Sequence, residues 1–200
     1  MTGYLARLAA AGIAAAGLAA AGLAFALPAA AAEKEDRALE ATQQLLTEAH
    51  AALQGAGGDA ALREAIDRAF AFDVWERFLI ENHADQFTPE QRARFRELLP
   101  GYLAYLYHNQ FDRGLDTPPA VGEAKPARKD VLVSATFKRA NGGDLPVDWR
   151  LREFPEQGMQ VIDVMVGGTS FLLLKRDEFT SIIDNRGAEG LLEYMEQHSL

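Results

Sequence analysis

Between Val147 and Phe179 the chain reads Val-Asp-Trp-Arg-Leu-Arg, then Met-Gln-Val-Ile-Asp-Val-Met-Val, a Gly-Gly pair, and Thr-Ser-Phe-Leu-Leu-Leu-Lys-Arg-Asp-Glu-Phe. No other stretch constrains the fold as tightly. Gly167-Gly168 lies between two runs of strand-forming residues, and glycine accepts the positive φ that a tight hairpin turn demands. The runs are apolar at both parities. In an unbroken strand Met159, Val161 and Met165 point one way and Ile162, Val164 and Val166 the other, and Phe171 to Leu174 repeat the pattern on the expected return strand. Water suits neither face, so each must be covered or must border a space that something else fills.

Two strands precede this hairpin. Val131, Val133, Ala135 and Phe137 alternate with Leu132, Ser134, Thr136 and Lys138; Asn141-Gly142-Gly143 turns the chain; Val147, Trp149 and Leu151 alternate with Asp148, Arg150 and Arg152. Upstream, helical spacing dominates. Leu39, Leu46 and Leu53 form a stripe that ends at Gly55 to Gly58, Asp59 is placed to cap a second helix, and Phe72, Trp75, Phe78 and Leu79 mark a third. The aromatic group Phe70, Phe72, Trp75 and Phe78 reads as packing between helices. Thr88-Pro89-Glu90-Gln91 starts a fourth helix: threonine caps, proline fills the first helical position, and glutamine completes a capping box. Phe95, Leu98, Leu99, Tyr102, Leu103 and Leu106 carry that helix on, with Pro100-Gly101 predicting one kinked helix or two in near continuation. Thr117 to Pro126 reads as a proline-rich linker. Helices near 177–185 and 188–198 close the chain. The expected fold is therefore α+β, four antiparallel strands with helices gathered on one face.

The first 32 residues stand apart. Arg7 is the only charge before Glu33, an Ala/Leu/Gly run follows, and Pro28 with Ala29 to Ala32 supplies small residues suited to a signal peptidase. This predicts a cleaved secretory signal over 1–32, cut after Ala32, and a single domain over 33–200. The alternative is a retained membrane anchor; the run is long enough to span, but its Ala/Gly content makes it weakly hydrophobic. Removing Arg7 from the 20 basic residues leaves 19 against 29 acidic ones, a formal charge of −10. Such a surface argues against a nucleic-acid partner. The chain has no cysteine, which excludes disulfides, thiolate metal sites and cysteine nucleophiles.

Catalytic and metal signatures are missing too. His50, His83, His108 and His198 fall at no ligand spacing, no serine stands in Gly-x-Ser-x-Gly, and there is no phosphate-binding glycine loop. The reading is no metal, no cofactor and no catalytic residue. Asp163 is the one acid in an otherwise apolar strand. It is either a base with a raised pKa or a structural carboxylate paired with Arg150, Arg152 or Arg176, or bonded to a turn.

Asp163-Val164-Met165-Val166-Gly167-Gly168-Thr169-Ser170, then Arg176-Asp177-Glu178-Phe179 and Gly187 to Leu192, resembles the Asp-Val-x-Val-x-Gly-x-Ser…Arg-x-x-Phe…Gly…Leu pattern of the MlaC family, the periplasmic phospholipid-binding proteins of the Mla pathway, also described as toluene-tolerance or Ttg2-type proteins. Phe72-Asp73, the helix start at Thr88, Phe95 and Tyr102 agree with it. Met159 stands where the family usually has tryptophan and Gly167 where it often has an acid, and a hopanoid-associated group shares the pattern. The resemblance implies a periplasmic, non-enzymatic carrier of glycerophospholipid. Its partners would be an inner-membrane ABC transporter complex and an outer-membrane lipoprotein–porin complex, and its role would be in outer-membrane lipid asymmetry. On this reading Val133, Ala135, Phe137, Trp149, Leu151, Val164, Val166, Phe171 and Leu173 line the sheet side of a lipid cavity, and Tyr102 and Leu106 the helix side. Two other readings stay open: an enzyme of the ketosteroid-isomerase type with Asp163 as base, and an adaptor with a filled core.

Overall fold

The structure, a computed structural model, describes residues 29–111, 117–138 and 142–200. Five helices and five strands follow in the order α1 (Ala29–Leu53), α2 (Gly58–Ala69), α3 (Phe72–Ile80), α4 (Pro89–Phe111), β1 (Ala120–Ala127), β2 (Asp130–Lys138), β3 (Asp144–Phe154), β4 (Gly158–Val166), β5 (Thr169–Ser170) and α5 (Phe171–Gln197), with a 3-10 turn at Glu81–Gln86 between α3 and α4. The strands form one antiparallel meander in the order β1-β2-β3-β4-β5. The fold is α+β, as the patterning predicts, with five strands instead of four. The expected leader falls mostly on 1–28, outside the described residues, and α1 already includes Ala29 to Ala32.

The additional strand is β1, where the proline content predicts a linker. Proline removes a ladder donor, and that loss is tolerated at a sheet edge. β1 is the edge, and Pro126 pairs opposite Val131 there. The register slips between Val121 and Ala124. Ser134 Oγ holds the slip, accepting from Glu123 N–H at 3.0 Å.

Strict alternation then builds one dry face. Val131, Val133, Ala135 and Phe137 pair with Leu151, Trp149, Val147 and Leu145 respectively, and all eight are buried. The opposite parity carries Ser134, Asp148, Arg150 and Arg152 on the wet face. Asp130 also lies there, fully buried beneath Arg150 Nη2 at 2.7 Å and Arg152 Nε at 2.7 Å. Both arginines are thus taken by Asp130, not by Asp163. Burial alone would raise the Asp130 carboxyl, but hydrogen bonds and charge from Arg152 and Arg150 outweigh it and hold the group below its ordinary value.

β4 breaks the alternation, and its double-sided apolar pattern has a specific cause. Val166 pairs with Val147, Val164 with Trp149 and Asp163 with Arg150, but Leu151 pairs with Val161, so Ile162 is an extra residue. A bulge of one residue shifts the phase of the pleat. Val161, Val164 and Val166 therefore share the inner face, where regular alternation would set Val161 opposite the other two. Phe171 to Leu174 depart further from expectation: they are the first turn of α5, not a return strand. Ser170 is the N-cap, its Oγ accepting from Leu173 N–H at 3.1 Å. A short apolar run fits strand or helix by periodicity alone, and the cap decides. The hairpin turn at Gly167-Gly168 stands, with φ of 59° and 84°.

The helices lie over the inner face. Thr88 and Gln91 form the expected reciprocal box, with Thr88 N–H to Gln91 Oε1 at 3.1 Å and Gln91 N–H to Thr88 Oγ1 at 3.2 Å. α4 continues through Pro100. Asp59 sits inside the first turn of α2, and Gly57 takes the cap position with φ 85°. The two C-terminal helices are one element interrupted at Gly187, φ 69°. The core is aromatic where helices meet: Phe95 and Phe179 rings lie 6.0 Å apart, and Tyr102 and Phe179 5.5 Å.

Thr88→Ala should cost about 1 kcal/mol of unfolding free energy in a urea titration, since it removes one half of the capping box. Asp130→Asn should cost roughly 1.5–3 kcal/mol by the same measurement, because it removes the acceptor of charged hydrogen bonds. A carboxylate with a depressed folded pKa contributes its stability fully above the unfolded value, here 3.8, and loses it as pH falls through the lower folded value. The gap between wild type and Asp130→Asn should therefore be constant from pH 7 to 5 and close on further acidification.

Candidate functional site

Strands β3 to β5 and helices α2 to α5 leave a space on the inner face that their side chains do not fill. β3 and β4 contribute Val147, Trp149, Val164 and Val166; α2 and the segment after it contribute Ile66 and Phe70; α3 contributes Trp75; α4 contributes Leu103, Leu106, Tyr107 and Gln110; and the β5–α5 junction contributes Thr169, Phe171, Leu174 and Lys175. The cavity they border has a volume of about 640 Å³, within the roughly 300–1,000 Å³ typical of small-molecule sites. The wall is mainly apolar and aromatic.

The bulge and the helix cap give this space its shape. The carbonyl of Val161, beside the extra residue Ile162, accepts from Ala71 N–H at 3.0 Å and from Trp75 Nε1 at 3.1 Å. Those bonds anchor the α2–α3 connection and the Trp75 ring against β4. Phe70 is held by the same contact, its ring centroid 5.3 Å from Trp75 and 6.4 Å from Trp149. Past the bulge, α2 and α3 no longer cover β4. Val161 is buried, whereas Val164 and Val166 on the same face stay part-exposed, and both border the cavity.

Asp163 fixes the other side. Its carboxylate accepts from Val164 N–H at 2.8 Å, Ser170 Oγ at 2.8 Å and Leu172 N–H at 3.2 Å. It binds the end of β4 to the first turn of α5, which is the turn-bonded structural reading. It is absent from the cavity wall, so the geometry for a base acting on a pocket substrate is missing. Phe171, one residue beyond Ser170, reaches the cavity through this junction, 6.5 Å from the Trp75 ring.

The structure distributes the expected lining residues unevenly. Trp149, Val164, Val166, Phe171 and Leu106 border the cavity. Val133, Ala135, Phe137 and Leu151 are on the inner face but buried at 0–3% exposure under packed helices; the Phe137 ring lies 6.4 Å from Tyr107. Tyr102 is buried against Phe179 and Tyr194, away from the wall. Leu173 points outward, 40% exposed. Sequence reading missed Ile66, Phe70, Trp75, Leu103, Tyr107, Gln110, Val147, Thr169, Leu174 and Lys175. Phe70 and Trp75 carried a signal in their aromatic cluster, which periodicity assigned to packing between helices.

Exposure differs around the wall. Thr169 and Gln110 are exposed, Leu174 is 53% exposed, and all three form the rim; Ile66, Phe70, Trp75 and Trp149 are buried and form the floor. Lys175 lies just inside the rim. Its ammonium donates to Glu178 Oε2 at 2.7 Å and stands 5.4 Å from the Phe171 centroid and 5.8 Å from that of Tyr102. Tyr194 OH donates to the other Glu178 oxygen at 2.6 Å. Burial would raise the Glu178 carboxyl, but the bonds from Lys175 and Tyr194 hold it below its usual range. Burial pushes the Tyr102 and Tyr107 hydroxyls well up, so both stay protonated. Among the described residues no group of three acids or histidines could hold a metal ion, and no helix is long and apolar enough to cross a membrane.

No curated protein matches the sequence. Among solved structures the chain is similar to the phospholipid-binding protein from Ralstonia solanacearum, whose structure was determined in complex with a phospholipid. The identity is 20%, the TM-score 0.63, and the match covers 82% of this chain and 96% of that one; at this identity the likeness speaks for a shared fold. The profile of the MlaC protein family matches residues 36–197, from within α1 to the end of α5. The chain belongs to the MlaC family.

Proposed function

We propose that this protein is an exported, periplasmic carrier of glycerophospholipid, whose acyl chains occupy the cavity between β3–β4 and α2–α5 while the head group stays at the rim. The observation that carries the reading is the mainly apolar cavity of about 640 Å³, with buried aromatic residues and the exposed Thr169 and Gln110 on its wall. Membership of the MlaC family and the phospholipid bound to the similar Ralstonia protein support it.

The energetics favour a carrier that loads by docking. Each methylene withdrawn from water is worth about 0.8 kcal/mol, so two acyl chains with roughly thirty methylenes together represent on the order of 20 kcal/mol. Release of free lipid into water is negligible on that scale. Loading and unloading then take place against membrane complexes, with an inner-membrane ABC transporter at one end and an outer-membrane lipoprotein–porin assembly at the other. The function served is outer-membrane lipid asymmetry. The leader over 1–32, cleaved after Ala32, delivers the domain 33–200 to that compartment. Binding and release need no covalent chemistry, which fits a wall without a nucleophile–base pair.

Protein purified without detergent from an outer-membrane-bearing host should retain phospholipid in about one-to-one ratio by native mass spectrometry; a chain that is lipid-free and cannot be loaded from vesicles refutes the carrier. Val164→Glu places a carboxylate on the cavity wall without a partner, and Trp149→Arg a guanidinium. Either should reduce lipid pick-up from vesicles at least tenfold, with the far-ultraviolet circular dichroism unchanged. His50→Ala, on α1 and away from the cavity, should leave pick-up intact. Equal losses in all three variants would remove the cavity from the mechanism.

A further inference from the structure

Lys175 is the one charged side chain among the described residues that border the cavity. It stands just inside the rim with a side chain only 14% exposed, next to the polar rim residues Thr169 and Gln110. An ammonium group in an apolar wall is costly unless paired, and this one has three donors of which Glu178 Oε2 takes one. The Phe171 and Tyr102 rings stand 5.4 and 5.8 Å from it and offer a face to a cation but no acceptor oxygen. The carboxylate that balances it is fully engaged: one oxygen accepts from Lys175 and the other from Tyr194. The ammonium therefore presents spare donors and positive charge at the level where a lipid's polar head would meet the wall.

We propose that Lys175 is the specificity-determining residue of the site and selects amphiphiles with an anionic head, a phosphodiester or a carboxylate, over uncharged acyl lipids. Glu178 is its internal competitor. In the unloaded cavity the Lys175–Glu178 pair keeps the wall neutral, and an incoming anion takes up the free donors of Lys175 against the repulsion of Glu178. The two partners then act with opposite signs, which a merely structural salt bridge would not do. The proposal rests on the carrier reading and adds to it the chemistry of the head.

The test is competitive loading. Delipidated wild type, Lys175→Met, Lys175→Arg and Glu178→Gln are incubated with vesicles holding equal amounts of phosphatidylglycerol, phosphatidylcholine, oleate and diacylglycerol, and the bound lipid is extracted and quantified by mass spectrometry. Wild type should prefer a lipid with an anionic group over diacylglycerol by about tenfold or more, the scale of one charge-assisted hydrogen bond. Enrichment of the two phospholipids identifies a phosphodiester as the recognised group, and enrichment of oleate a carboxylate. Lys175→Met keeps the aliphatic stem and should lose the preference, Lys175→Arg should retain it, and Glu178→Gln should strengthen it. Unchanged selectivity in Lys175→Met, or a weaker preference in Glu178→Gln, overturns the proposal while leaving the carrier intact. Failure of wild type to take up any acyl lipid overturns both.

Discussion

The β-bulge at Ile162 is the constraint on which the site depends. A single extra residue in β4 reverses the parity of the strand beyond it, so Val164 and Val166 face inward beside Val147 and Trp149. The Val161 carbonyl, next to that residue, accepts from both the Ala71 amide and the Trp75 indole. One irregularity therefore ties the α2–α3 connection and Trp75 to the sheet. Beyond the bulge Val164 and Val166 stay part-exposed and border the cavity. Without the extra residue, Val164 and Val166 would share the wet face with Arg150 and Asp148, and Asp163 and Met165 would turn inward in their place.

Two charge clusters, one behind the sheet and one at the cavity, have different consequences. On the wet face Asp130 bridges Arg150 and Arg152, which lets three ionised groups lie across the β2–β3 ladder at the back of the hydrophobic layer. At the cavity the Lys175–Glu178–Tyr194 chain brings charge to the rim of an apolar space. The first arrangement satisfies its own groups. The second leaves donors on Lys175 unused, and an unused donor beside a cavity distinguishes a site from a core.

Much of the architecture was legible. β2 and β3 alternate regularly, the Thr88–Gln91 box specifies where α4 begins, and the Gly167-Gly168 turn follows from the positive φ only glycine takes readily. β1 was not legible, because proline argues against a strand unless that strand is known to be an edge, and edge position is a property of the assembled sheet. Phe171 to Leu174 were misjudged for a related reason: four apolar residues in a row have no period, and their helical state is set by Ser170 and by Asp163 reaching across from β4. Of the cavity wall, Trp149, Val164, Val166, Phe171 and Leu106 could be named in advance as apolar residues on the inner sheet face or the long helix. Phe70, Trp75 and Leu103 could not, since a side chain that borders a void and one that fills a core have the same hydrophobicity.

By itself the sequence determined the class of fold, the apolar character of the interior, the pattern that marks the family and the scarcity of reactive groups, because all of these are written in local periodicity and residue type. The tertiary structure alone decided which apolar residues meet one another and which meet empty space. Val133 and Val164 are the same residue type on the same sheet face, and only the placement of the helices over the sheet, α1 over β2 and the cavity over the end of β4, makes one of them core and the other wall. The place of Lys175 was decided in the same way: its charge is evident from the chain, but its position beside an apolar cavity exists only once α5 has been capped against β4.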